Sequence, residues 1–117
     1  MHKFMIKFRY SSGSWARVLK VADDQAAAVR ALVEALGGSL EGIWWEVETG
    51  TANAVTNLPD AVSAAAVVTL TTRTGAFAGV EAHELLSQEQ LHDAIMLAKS
   101  VSEVYDPPGN SAVLSGA

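Results

Sequence analysis

The 117-residue sequence has no cysteine, which removes disulfides, thiolate nucleophiles and Cys-ligated zinc or iron–sulfur clusters from consideration. Any metal would have to come through His and carboxylates, yet His2, His83 and His92 are not spaced like two helical His four residues apart. No dedicated metal site is expected. Charge is scarce as well: 18% of residues are charged, and eight Lys and Arg against thirteen Asp and Glu leave a net charge of −5. Such an acidic surplus lacks the electrostatic footprint of a phosphate-backbone binder, so no nucleic-acid partner is expected. The longest weakly polar stretch, Ala61 to Leu70, is far below the roughly 20 residues of a membrane span. Ser12-Gly13-Ser14 lacks the Gly-Lys-Ser or Gly-Lys-Thr that completes a P-loop, and Gly37-Gly38 and Gly75 stand isolated, so nucleotide binding has no support. Charge interrupts Met1 to Arg9 every second or third residue. That leaves no signal-peptide apolar region, and the expected location is the cytoplasm.

What is abundant is Ala and Val, within a chain that is half apolar. The length suits one domain with one core. A monomer this small ordinarily covers its surface with Lys and Glu, so the charge deficit points to self-association.

Residues 3 to 10 alternate, with Phe4, Ile6 and Phe8 on one side and Lys3, Met5, Lys7 and Arg9 on the other, the pattern of a strand with one apolar face. Helical spacing follows in two pieces, Ser14 to Val21 and Asp23 to Leu36, the second capped at Asp23-Asp24 and stopped by Gly37-Gly38. Ser39 to Thr49 reads as a second strand, with Ile43, Trp45 and Val47 opposed to Trp44, Glu46 and Glu48. After the Thr49-Gly50 turn a third strand, Thr51 to Thr56, pairs back as a hairpin. Asn57-Leu58-Pro59-Asp60 starts an Ala-rich helix over Ala61 to Thr72, which its β-branched residues make dependent on packing. Phe77 to Leu86 is a fourth strand. Ser87 and Gln90 then supply a capping box for a helix to about Val104, with Leu91, Ile95, Ala98 and Val101 on one face. The reading is one domain over residues 1–104 and a flexible Pro/Gly/Ser-containing tail over 105–117.

The order strand, helix, strand, strand, helix, strand is the split βαββαβ pattern: an α+β, ferredoxin-like fold with a four-stranded antiparallel sheet, helices on one face and an extra C-terminal helix. The alternation assigns Lys3, Lys7, Arg9, Trp44, Glu46, Glu48, Glu81 and His83 to the open face. There Lys7 or Arg9 is expected beside Glu81 as a cross-strand ion pair.

Several features, in order, are similar to the GYD-domain family: the aromatic strand leading into Tyr10-Ser11-Ser12-Gly13, Leu36-Gly37-Gly38, Gly42-Ile43-Trp44-Trp45, Leu58-Pro59-Asp60, and Gly75 before the strand carrying Glu81. Together they span most of residues 3 to 91. The motif that names the family, Gly-x-Tyr-Asp, is represented by Gly50-Thr51-Ala52-Asn53, so the Gly remains and the Tyr and Asp do not. The resemblance implies a small bacterial protein related to dimeric α/β barrels. It also implies a homodimer or higher oligomer that serves as a small-ligand-binding or assembly module without catalysis. The alternative within the same kinship is a cofactor-independent monooxygenase or isomerase acting on a small apolar or aromatic substrate. On either reading Trp44, Trp45, Glu81 and His83 are the candidate ligand-binding residues, and His83 is the weak candidate for a catalytic base or acid. No cofactor is expected, haem through His83 being left open.

Overall fold

In a computed structural model the structure describes residues 1–21 and 24–109. β1 (His2–Tyr10) leads into α1 (Ser12–Lys20), α2 (Gln25–Ala35), β2 (Ser39–Glu46), β3 (Thr51–Leu58), α3 (Ala61–Arg73), β4 (Phe77–Leu85) and α4 (Gln88–Ser100). The four strands form one antiparallel sheet in the order β2-β3-β1-β4, the ferredoxin-like arrangement expected from the element order. Met1–Leu85 is one compact unit and Leu86–Ala117 a second. The sheet therefore forms a unit without α4.

Period-two alternation decides which residues meet the helices. Phe4, Ile6 and Phe8 of β1, with Ala52, Ala54 and Leu58 of β3, are buried together with Val33 of α2 and Ala64 and Val67 of α3. Each fully buried large side chain in such a cluster contributes about 1.5–3 kcal/mol of apolar burial. The buried Thr56 hydroxyl donates to the Phe4 carbonyl at 3.1 Å, so this polar group enters the core satisfied. At the sheet end Phe8, Phe77, Tyr10 and Trp15 form a chain of tilted rings with centroid spacings of 5.0–5.6 Å.

The helix boundaries follow from capping. The Ser11 hydroxyl accepts from the Ser14 N–H and the Asp24 carboxylate from the Ala26 N–H. The expected second cap, Asp23, lies outside the described residues, as does the tail from residue 110 onward. At Asp60 the Ser63 backbone N–H, 2.8 Å away, and then the Ser63 hydroxyl hold the carboxyl below its ordinary range. This contribution is fully present above the unfolded pKa and is lost as pH falls through the lowered one. In α3 the Thr69 and Thr71 hydroxyls bond back to the Ala65 and Val67 carbonyls, which accommodates residues of low helix propensity. Ser87 and Gln90 complete the expected capping box of α4. Leu91 and Ile95 on that helix, and Val101 just after its last residue, are exposed.

Several boundaries and one conformation differ from the sequence reading. β2 stops at Glu46, because Val47 to Gly50 make the turn, and Val47 is consequently 64% exposed rather than facing the helices. β3 runs two residues further, to Leu58, whose side chain is fully buried. α1 starts two residues earlier, at Ser12, and α4 ends at Ser100. Gly37, not Gly38, takes the left-handed conformation (φ +84°), with the Gly37 and Gly38 N–H groups donating to the Glu34 and Val33 carbonyls as in a Schellman motif. Gly38 is required for another reason: a Cβ there would lie 2.1 Å from the Asn57 carbonyl oxygen.

These two constraints separate experimentally. Gly38→Ala forces strand β3 away from the α2 exit and should destabilise by about 2–4 kcal/mol. Gly75→Ala meets nothing within 4 Å and bears only its positive φ, about 1–2 kcal/mol. Urea denaturation midpoints should fall in that order, and equal midpoints would contradict the close approach at Gly38.

Candidate functional site

Within the Met1–Leu85 unit the face of the sheet opposite the helices is built from rungs that the strand register aligns. Arg9 sits between Gly79 and Thr51, and Thr51 pairs with Glu46. On the next rung Lys7 sits between Glu81 and Asn53, and Asn53 pairs with Trp44. The third carries Met5 between His83 and Val55, with Gly42 beyond. A bulge at Glu41 interrupts the β2–β3 pairing, which resumes at Leu40 and Ser39, and lets its carboxylate reach both Asn57 Nδ2 (2.9 Å) and Lys3 Nζ (3.1 Å). The Asn57 amide first, and then Lys3, hold the Glu41 carboxyl below its ordinary range.

The four candidate residues do not share one cavity. Trp44 and Trp45 are consecutive in a strand and so point to opposite faces. Trp44 is 61% exposed, its indole lying back over Gly42, where a Cβ would come within 2.6 Å of the ring. Trp45 packs on the helix side against the core. His83 and Glu81 do share the open face, with Nε2 and Oε1 3.9 Å apart. They stand on the edge strand β4, about 14 Å from Trp44 on the opposite edge, three strand spacings of roughly 4.8 Å.

The expected Lys7–Glu81 pairing is present as register and absent as an ion pair. Among the described residues the pairs within 4.0 Å are His2–Glu84, Lys3–Glu41 and His83–Glu81. Lys7 and Arg9 belong to none of these. Instead they line a concavity of about 530 Å³ with Glu46, Thr49, Thr51, Gly79, Val80 and Glu81. Thr49 Oγ1 donates to Thr51 Oγ1 at 2.9 Å, and Asn53 Nδ2 donates to Glu46 Oε2 at 2.8 Å. Gly79 keeps the floor open, since a Cβ there would approach only the end of Arg9, at 3.6 Å. The sequence pattern places Lys7, Arg9, Glu46 and Glu81 on this face and sets Lys7 or Arg9 beside Glu81, but it does not bring all four to one concavity. The signal that could have joined them is Gly79, a glycine inside a strand, which commonly marks a place kept clear of side chains.

On the helix face a second cleft, about 410 Å³, lies between Ile43 and Trp45 of β2 and the α1–α2 corner at Val18, Val21, Asp24, Gln25 and Ala26. The buried Trp45 indole N–H makes no hydrogen bond of good geometry. It does act on Tyr10: burial pushes the phenol above its ordinary pKa, and the indole N–H works in the opposite direction. A third concavity, about 380 Å³, is apolar and lies between α3 and β4. His83 lines none of the three. Among the described residues no three His, Asp or Glu gather where they could hold a metal ion, and no helix is long and apolar enough to cross a membrane.

The Gly50–Asn53 segment explains part of the motif. Gly50 (φ +66°) closes the β2–β3 turn under Trp15, whose Cγ would lie 3.0 Å from a Cβ at that position. The GYD-domain model matches residues 4–95. The chain belongs to the GYD-domain family. Of the residues that the sequence resemblance set at the motif's Tyr and Asp, Ala52 is buried on the helix face and Asn53 lies opposite Lys7. A neutral amide there leaves the lysine without a carboxylate on β3. The crystal structure of an uncharacterized NIPSNAP domain protein from Burkholderia xenovorans is similar over 74% of this chain and 94% of its own, at 17% identity and a TM-score of 0.48. No curated protein matches the sequence.

The Trp44–Gly42 contact gives a direct check of the open face. Gly42→Ala should lift the indole off β2, changing the intensity or maximum of tryptophan emission while stability falls by less than about 1.5 kcal/mol. Emission unchanged in a background of Trp15→Phe and Trp45→Phe would show that Trp44 does not lie over Gly42.

Proposed function

We propose that this GYD-domain protein is a homodimeric module that binds a small ligand and performs no chemistry of its own, two copies bringing their open sheet faces together. The observation that carries this reading is the 61% exposure of Trp44 on a face that also presents Met5 and Val55 and on which, among the described residues, Lys7 and Arg9 join no ion pair within 4.0 Å. An exposed aromatic in such a setting suits a buried anchor between subunits, and alternating charge suits a self-complementary two-fold contact. The family's small bacterial members set the context we assign, a bacterial cytoplasm.

A monooxygenase or isomerase of the dimeric α/β barrel kind would bring His83 or a carboxylate beside Trp44 or Trp45 in one concavity. The carboxylate that shares a cleft with Trp45 is Asp24, and its Oδ1 is engaged at 3.1 Å in capping α2. This supports the non-catalytic reading.

Sedimentation equilibrium at about 50 µM, well above a micromolar Kd, should report a dimer. Trp44→Glu puts a charge at the proposed anchor and should shift that mass toward the monomer, leaving the circular dichroism spectrum of the fold unchanged while the melting temperature loses its dependence on protein concentration. A wild-type monomer at this concentration contradicts the proposal.

A further inference from the structure

We infer that the concavity at the β1–β4 end of the open face binds a small zwitterion carrying its ammonium and carboxylate on one carbon, the class of the free α-amino acids. The inference rests on the ligand-binding part of the proposed function and not on the dimer, because one copy supplies every residue of the site.

The charge count in the cavity carries the argument. Lys7 and Arg9 contribute two cations and Glu46 and Glu81 two anions, all four lining one space of about 530 Å³. Among the described residues no cation of this set lies within 4.0 Å of a carboxylate of the set; Glu81 faces only the exposed His83, at 3.9 Å, and Glu46 accepts from the neutral Asn53 amide, at 2.8 Å. A simple anion would gain from the cations and be repelled by the two carboxylates, and a simple cation would meet the reverse. A zwitterion is the small species that can use both signs at once.

The layout is also the right way round. Both cations stand on the central strand β1, two residues apart on the same face, while Glu81 flanks Lys7 directly on β4. Adjacent strands are separated by about 4.8 Å. A carboxylate over Arg9 and Lys7 would meet the planar guanidinium fork edge-on, and an ammonium on the neighbouring carbon would then fall toward Glu81. The Thr51 hydroxyl, already receiving a hydrogen bond from Thr49, is left to donate to the same carboxylate. Gly79 keeps the space beside Arg9 free, and its backbone does not require a glycine by φ. The volume lies within the roughly 300–1,000 Å³ of small-molecule sites.

The test titrates the wild-type chain with L-leucine, N-acetyl-L-leucine and L-leucinamide, following the backbone amide NMR signals of Lys7, Thr51 and Gly79. Sedimentation equilibrium on the same samples gives the oligomeric state. Leucine should shift these three signals saturably, and each analogue, having lost one charge, should bind about tenfold more weakly or worse. Glu81→Gln should weaken leucine by about tenfold and spare N-acetyl-leucine, whereas Arg9→Gln should weaken both. Gly79→Leu fills the space without removing a charge and should abolish the shifts in a protein whose circular dichroism shows it folded. No saturable shift with leucine, equal binding of N-acetyl-leucine, or binding that survives Gly79→Leu would each overturn the inference. A dimer that binds no leucine refutes the site and leaves the dimer standing. A monomer that binds leucine does the opposite.

Discussion

One sheet with helices on a single face is the constraint from which the rest of the structure follows. Because strand side chains alternate, placing Phe4, Ile6 and Phe8 against Val33 and Val67 necessarily sends Lys3, Met5, Lys7 and Arg9 to the other side. A one-residue slip would exchange the two sets, burying three cations without partners, at a cost no domain of this size can bear. Register is therefore strongly specified, and so are the rungs that bring Lys7 beside Glu81 and Arg9 beside Gly79. The candidate site is a by-product of core formation: the more firmly the apolar face is held, the more firmly the charged face is ordered.

That constraint also separates two kinds of tryptophan and two kinds of glycine. Trp45 joins the core side and influences Tyr10, while its neighbour Trp44 lies over Gly42 on the open side. Gly38 and Gly42 let other groups approach closely, whereas Gly37 and Gly75 supply left-handed backbone. Gly50 does both, closing a turn directly beneath Trp15. These two constraints hold Gly50 in place whatever residues stand at 52 and 53.

Much of this was legible in the residues. The alternation of β1, the capping box at Ser87, the helix-start signal at Pro59-Asp60 and the element order carried the fold, because each is a local signal that tertiary packing reinforced. Val47 misled because the apolar alternation continues past Glu46 while the chain is already turning. Leu58 was hidden behind Pro59-Asp60, whose helix-start chemistry begins only after the last strand residue. The site was less legible. Strict alternation already places Trp44 and Trp45 on opposite faces, so grouping them in one cleft followed their chemistry rather than their geometry. For Lys7 and Glu81 the register was readable, but the reach of flexible side chains was not, and the shared concavity of Lys7, Arg9, Glu46 and Glu81 emerges only when the rungs are assembled.

The claim that the open face is the working surface can be tested by making use of the missing cysteines. Val55→Cys places one thiol near the centre of that face, and Ala66→Cys places one on the exposed side of α3. Facing sheets pack about 10 Å apart, within reach of a short bismaleimide linker. Crosslinking of dilute protein should convert Val55→Cys to a covalent dimer quickly and in high yield, and leave Ala66→Cys largely monomeric. Equal yields for the two variants, or a preference for the helix position, would contradict the account.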